Sequence, residues 1–251
     1  MELSKLAWPD ARQAIRRSKV ALLPVGATEQ HGPHLPIGTD WFIASRIAGT
    51  VSQAGDFLLL PGLPIGVSSE HRQFWGSLSV SPDLVFRYVV ACCRSIATHG
   101  LSRIVLINGH GSNAAPLQRA CRELREEKIF AFVFNWWESI ASTLAELFPN
   151  PTAHAGSIET SLMLAIDPDL VHSGRFDEAD IARHWGTYVE GVLVGFDAVD
   201  FTEQGNVGDP KLADAGKGKT ILASACERLT RFCRWFADRS EEDLVSRHHL
   251  E

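Results

Sequence analysis

No apolar run in the 251 residues approaches the roughly 20 needed to cross a bilayer, so the chain does not read as a helical membrane protein. The first 18 residues also lack the apolar stretch of a signal peptide, which points to a cytoplasmic protein. Basic blocks are missing. The 24 Lys and Arg are scattered and outweighed by 30 Asp and Glu, for a formal net charge of -6. This argues against a nucleic-acid or anionic-membrane partner, whose binding is driven by release of counterions from phosphates. Cysteine is scarce, odd in number and without CxxC spacing. Cys92, Cys93, Cys121, Cys226 and Cys233 sit in apolar or helix-like stretches and read as reduced packing thiols. There is no Gly-x-Ser-x-Gly elbow and no thiol in a polar loop, which leaves serine and cysteine hydrolysis without a nucleophile. No repeat or Pro/Gly/Ser linker divides the chain, so residues 1–251 read as one domain, with Leu250-Glu251 set aside as a cloning remnant.

What the chain does have is the composition of an ordinary globular protein, 45% hydrophobic and 22% charged. Continuous apolar runs at Val20–Val25, Phe57–Leu60, Arg103–Ile107 and Ile129–Phe134 have the character of parallel strands buried on both faces. Helix-like spacing over Trp41–Ser52, Pro82–His99, Ala114–Glu127, Ser157–Ala165 and Asp214–Asp238 alternates with them. The expected fold class is therefore α/β: a single-domain three-layer α/β/α sandwich around a mostly parallel sheet. In such sheets ligands bind beyond the carboxyl ends of the strands, and the polar motifs of this chain fall there.

The first motif, Gly26 to Asp40, packs Glu29, His31, His34 and Asp40 into a Gly/Pro-rich stretch leaving a strand. In extended backbone, residues two apart share a face, so Glu29 and His31 can address one point, and Asp40 can return to it. A mixed carboxylate and imidazole set suits Zn²⁺, Mn²⁺ or Fe²⁺, and a carboxylate such as Asp40 can bridge two ions. In Asn108-Gly109-His110-Gly111-Ser112-Asn113, His110 stands between two glycines that let the backbone approach a ligand closely. Asn113 and the amides around Ser112 open a helix and are candidates for holding an oxyanion. His154 precedes a helix-like stretch carrying Glu159 in its first turns, and an acid there also has a plain capping explanation. His154 reads as a proton shuttle or ligand.

These residues resemble the creatininase (creatinine amidohydrolase) family of metal-dependent amidohydrolases. The likeness runs through Glu29-Gln30-His31-Gly32-Pro33-His34-Leu35-Pro36 with Thr39-Asp40, then Gly66 to His71, Asn108 to Gly111, His154 to Ser161, and Gly208-Asp209-Pro210. The resemblance implies Glu29, His31, Asp40 and His110 as ligands of two divalent ions (Zn, Mn or Fe), with Asp40 bridging, and His154 in proton transfer. Creatininases proper carry a carboxylate where this chain has Ser112, which makes Glu159 the candidate to complete the second site, or else a base. They also carry a Trp shortly before the fourth-motif His, where this chain reads Phe148 to Ala153, so creatinine itself is not implied as the substrate. Trp136 or Trp137 is expected to stack on a flat substrate, with Glu70, His71, Ser112 and Asn113 in the pocket. In place of the family's usual Phe-Pro-Gly-Thr stands Phe74-Trp75-Gly76-Ser77.

The implied function is hydrolysis of a non-peptide amide C–N bond in a small molecule, cyclic ones included, by a hydroxide bridging the metals, in a homo-oligomer that family analogy makes a hexamer. Two alternatives lie within the family: a deformylase of a pyrimidine nucleotide intermediate, and a peptidase of redox-cofactor maturation. The alternative from another class is a non-catalytic metal- or ligand-binding module.

Overall fold

The structure, a computed structural model, describes residues 1–148, 154–180 and 185–246. Residues 149–153, where the sequence departs from creatininases proper, and the terminal 250–251 lie outside the described residues.

Four parallel strands, β1 (Val20–Val25), β2 (Phe57–Leu59), β3 (Arg103–Asn108) and β4 (Phe130–Asn135), form the central sheet in the order β2-β1-β3-β4. Their side chains alternate between two cores, which is why the runs are apolar throughout. Val20, Leu22, Val105 and Ile107 face one layer of helices: α2 (Thr39–Gln53), the short α5 (Trp136–Ser139) and α6 (Ala141–Leu147), α7 (Ser157–Ile166) and α8 (Ala215–Ala237). Ala21, Leu23, Ile104 and Leu106 face the other, made by α1 (Trp8–Arg17), α3 (Pro82–Ala97) and α4 (Ala114–Glu126). Leu22, Leu23, Ile104 and Leu106 are all fully buried, and cutting any one back to alanine costs about 2–5 kcal/mol. The expected α/β/α sandwich is the observed one.

Each helix begins and ends for local reasons. Ser81 accepts the Leu84 amide at 3.2 Å, with Pro82 at the first helical position of α3, and Asp214 accepts the Lys217 amide at 2.8 Å to start α8. Helix α3 stops at Ala97, two residues before the expected His99, because the amides of Thr98 and Gly100 close the last turn on Arg94 and Ala97, with Gly100 at φ +90°. Helix α1, the short α9 (Glu241–Leu244) and an antiparallel hairpin, β5 (Thr187–Val189) and β6 (Val192–Gly195), were not expected. Within the hairpin Tyr188, Val189 and Val192 are exposed.

The chain passes from β1 to β2 on one side, then crosses β1 to lay β3 on the other, with α2 and α3 on opposite faces. Sheet growth therefore reverses between β1 and β3, and the loops leaving those two strands diverge into a crevice. The first and third motifs are those loops.

Candidate functional site

Glu29 and His31 follow β1. The Glu29 amide donates to the Ile37 carbonyl at 2.8 Å, closing the loop so that Asp40, in the first turn of α2, comes back beside them. His110 leaves β3 through Gly109, where an added Cβ would collide with the Asp40 carbonyl; only glycine lets the two loops come this close. The Asn108 side chain accepts the His110 amide at 3.1 Å and sets its direction. Glu159, in the first turn of α7, accepts the Ala155 amide at 2.6 Å.

The result is a buried cluster of three carboxylates and several imidazoles. Asp40 Oδ1 lies 3.2 Å from His31 Nε2 and its Oδ2 3.2 Å from His110 Nδ1, while Glu29 Oε1 is 3.2 Å from both His110 Nδ1 and His71 Nε2. Glu159 Oε2 is 3.8 Å from His31 Nε2, and His154 Nδ1 is 3.8 Å from Glu29 Oε1. Despite these approaches, both oxygens of Glu29 and Oδ2 of Asp40 are buried without a hydrogen-bond partner among the described residues. Carboxylate oxygens left orphaned beside ring nitrogens are placed as ligands around a cation are placed. Among the described residues, three groups have ligand atoms within 4.8 Å of one another: Glu29, Asp40 and His110; His31, Asp40 and Glu159; and Glu29, His31 and His154.

Without a cation the cluster balances its charge with protons. Burial disfavours the charged form of His31, but Asp40 and Glu159 outweigh it and raise the imidazole to about 10. His110 is raised well above its ordinary value against the same desolvation, chiefly by Glu29, and Glu29 is correspondingly held well below the usual carboxylate range by His110. Burial pushes Glu159 up to about 7. His154 is depressed well below the imidazole range by burial and by the neighbouring His31 and His71, so it stands neutral.

The other expected site residues divide. His71 joins the cluster, and His110 Nε2, on the ring edge away from the carboxylate pair, is 3.6 Å from Glu70, to which the Ser112 hydroxyl donates. Asn113 does not face a substrate: its buried amide accepts the Val67 amide at 2.9 Å and donates to the Gly26 carbonyl at 3.0 Å, bracing the first three motifs together. Trp136 is buried in the core, edge-on to a half-buried Trp137, because the turn after β4 directs it under the helical layer rather than into the crevice. His34, also in the first motif, contacts Thr160 at 3.1 Å and is in none of the three ligand groups among the described residues. Among the described residues, an aromatic side chain that the sequence reading missed stands at the site: Trp185, whose ring meets His71 at 5.2 Å and His154 at 5.7 Å and packs on Phe201 at 4.9 Å. It precedes the hairpin in a stretch with no periodicity, and its only sequence signal is that it is a tryptophan. Gln30, also missed, touches His71 and His154. The five cysteines are free, and burial raises Cys93, Cys121 and Cys233 to about 12, as suits packing thiols.

The sequence pattern of the creatininase family, described as creatinine amidohydrolase, matches residues 4–233. The chain belongs to the creatininase family. It is 36% identical over 247 residues to a mycofactocin precursor peptide peptidase of Mycolicibacterium smegmatis, covering 94% of each chain. It is 30% identical over 240 residues to a creatinine amidohydrolase of Pseudomonas putida, covering 88% of this chain and 91% of that one. A mutant creatininase of Zn–Zn type superposes with a TM-score of 0.80 at 28% identity, over 95% of this chain and 98% of the other. The family is one of metal-dependent amidohydrolases, and the clustered His, Asp and Glu side chains of this member are able to bind metal.

Proposed function

We propose that the protein hydrolyses an amide C–N bond at a dinuclear metal centre held by Glu29, His31, Asp40, His110 and Glu159. The observation that carries this reading is the pair of buried ligand groups that share Asp40, each of whose oxygens turns to a different imidazole. Glu29, Asp40 and His110 would hold one ion, and His31, Asp40 and Glu159 the other. The Zn–Zn creatininase supports a count of two, and the donor set suits Zn²⁺, Mn²⁺ or Fe²⁺. When bound, such ions supply Lewis acidity, lowering the pKa of water from about 15.7 towards about 7 and polarising the scissile carbonyl.

The remaining work belongs to the chain. His154, neutral and with Nδ1 on the Glu29 side, takes up a proton and returns it to the leaving nitrogen, which departs readily only when protonated. Trp185 lies edge-on over His71 and His154 and limits water at that wall. Ser112 and Glu70 form the pocket beyond His110.

A short peptide is the substrate class best supported. The 36% relative is named a peptidase of a precursor peptide, and Ser112 stands where creatinine-cleaving members carry a carboxylate. The second reading, a small cyclic amide of the creatinine type, is favoured by the Pseudomonas putida relative. A cytoplasmic setting and a homo-oligomer belong to the same proposal, supported by the free thiols and by the exposed apolar Trp75, Tyr188 and Val192. Among the described residues no helix is long and apolar enough to cross a membrane.

Elemental analysis of the purified protein, with turnover of short peptides, creatinine and cyclic amides before and after chelation, tests the proposal. Close to two ions per chain and chelator-sensitive cleavage are expected. A chain that holds no metal after reconstitution is a binding module instead.

A further inference from the structure

Gln30 lies between the ligand candidates Glu29 and His31 in sequence, yet its buried side chain points to the opposite wall, against His71 and His154. Two backbone groups that can each play one role settle which end of its amide is which. The Gly32 N–H can only donate, and it donates to Gln30 Oε1 at 2.9 Å. The Gly205 carbonyl can only accept, and it accepts from Gln30 Nε2 at 2.8 Å. Gly205 has φ +88°, and a Cβ there would collide with the Gln30 amide, so this approach requires glycine. Asp180 anchors the loop that delivers it, accepting the amides of Glu203 at 2.6 Å and Gln204 at 2.8 Å.

The Nε2 of Gln30 carries two protons, and Gly205 takes one. Two ring nitrogens compete for the other, His71 Nδ1 at 2.7 Å and His154 Nε2 at 2.9 Å. His154 Nε2 also lies 3.0 Å from the Gln30 backbone carbonyl, which accepts only. One assignment satisfies every group: Gln30 donates to His71 Nδ1, and His154 Nε2–H donates to the Gln30 carbonyl. The reverse leaves that carbonyl without its donor and His71 Nδ1 pressed against an amide that offers it nothing.

We propose that Gln30 is a positioning residue that sets the tautomers of both histidines, placing the proton of each on Nε2. His71 then turns the protonated edge of its ring, Nε2–H, toward the orphaned Glu29 Oε1, 3.2 Å away. His154 keeps a bare Nδ1, 3.8 Å from Glu29 Oε1 on the inner side of the site. The use of that lone pair in proton transfer rests on the amidohydrolase reading above; the tautomers themselves do not.

The test is two-bond ¹H–¹⁵N correlation of the full chain, ¹⁵N-labelled at histidine and reconstituted with Zn²⁺, for the wild type and for Gln30→Glu and Gln30→Met. In the wild type both His71 and His154 should show a protonated Nε2 and an unprotonated Nδ1. Gln30→Glu replaces the donor with an acceptor, so the His71 proton should move to Nδ1, and Gln30→Met should abolish the single-tautomer signature of His71, while His154, held by the backbone carbonyl of residue 30, keeps its Nε2–H in both variants. A wild-type spectrum with Nδ1–H on either ring overturns the assignment, whether or not the variants fold. So does a Gln30→Glu spectrum with the His71 tautomer unchanged. The expected tautomers in a protein that cleaves no peptide or cyclic amide would uphold the role of Gln30 and sink the functional reading alone.

Discussion

Loading the site with Zn²⁺ should expel about two protons per chain near pH 7.5, and the number follows from the cluster's own electrostatics. In the metal-free protein His31 is raised to about 10 and His110 well above its ordinary value, so each holds a proton that coordination must displace, because the ligand is the ring lone pair. Glu159, at about 7, holds on average roughly a quarter of a proton at that pH. The sum is a little over two, so the apparent affinity should rise roughly a hundred-fold per pH unit through neutrality. Titration calorimetry at fixed pH, in buffers of different ionisation enthalpy, reads the proton count directly from the dependence of the observed heat on the buffer. Release of fewer than one proton, or an affinity indifferent to pH between about 6 and 8, would show that the imidazoles are already bare and that Asp40 and Glu159 do not face them as described.

Elemental analysis of ligand variants should lose ions selectively: Glu29→Gln and Glu159→Gln one each, and Asp40→Asn both, with activity falling more than about 100-fold in every case. An Asp40→Asn protein that retains two ions would remove the bridging role. Burial holds His34 at about 4 against its usual 6.5, so the stability it contributes is present above about pH 6.5 and is lost as the pH falls towards 4; that limb is worth up to about 3 kcal/mol. His34→Asn should flatten it in denaturant titrations, and an unchanged acid limb would refute the assignment. Trp185→Ala should lower kcat/KM about ten-fold while shifting Tm by only a few degrees, since the ring is half-exposed and its neighbours are the site histidines. A large Tm loss with unchanged kcat/KM would make it a packing residue.

Much of this was legible in the sequence because the signals were local. Each strand of the central sheet was a continuous apolar run, and the first motif left β1 with Glu29 and His31 two apart, so period-two geometry alone placed them together. Asp40 was readable as a partner because a short loop brings it back, and the Glu29 amide to the Ile37 carbonyl is the bond that closes that loop. The readings that misplaced residues were those that needed direction as well as position. Asn113 sits at the helix start where an oxyanion donor was expected, but whether an amide faces a ligand or a neighbouring loop depends on Val67 and Gly26, which are far away in sequence. Trp136 failed for the same reason, since a residue after a strand can turn up into the crevice or down under the helices.

The wall made by Gln30, Gly205 and Trp185 shows the physical limit more sharply. Gln30 stood inside the most conspicuous motif of the chain and carried no signal of its own, because a glutamine amide acquires meaning only from the groups that fix its two ends. One of those groups is the carbonyl of Gly205, 175 residues away, in a loop whose position depends on Asp180 gathering its amides. A motif read along the chain reveals which side chains can bind a cation, since that chemistry is a property of residue type. It does not reveal which nitrogen of a histidine carries the proton, since that is decided by hydrogen-bond partners brought from elsewhere. The clustered carboxylates and imidazoles are therefore the part of this site that sequence reading recovers first, and the groups that orient them are recovered only once the loops beyond β1 and β3 are seen against the stretch that carries Trp185 and the loop of Gly205.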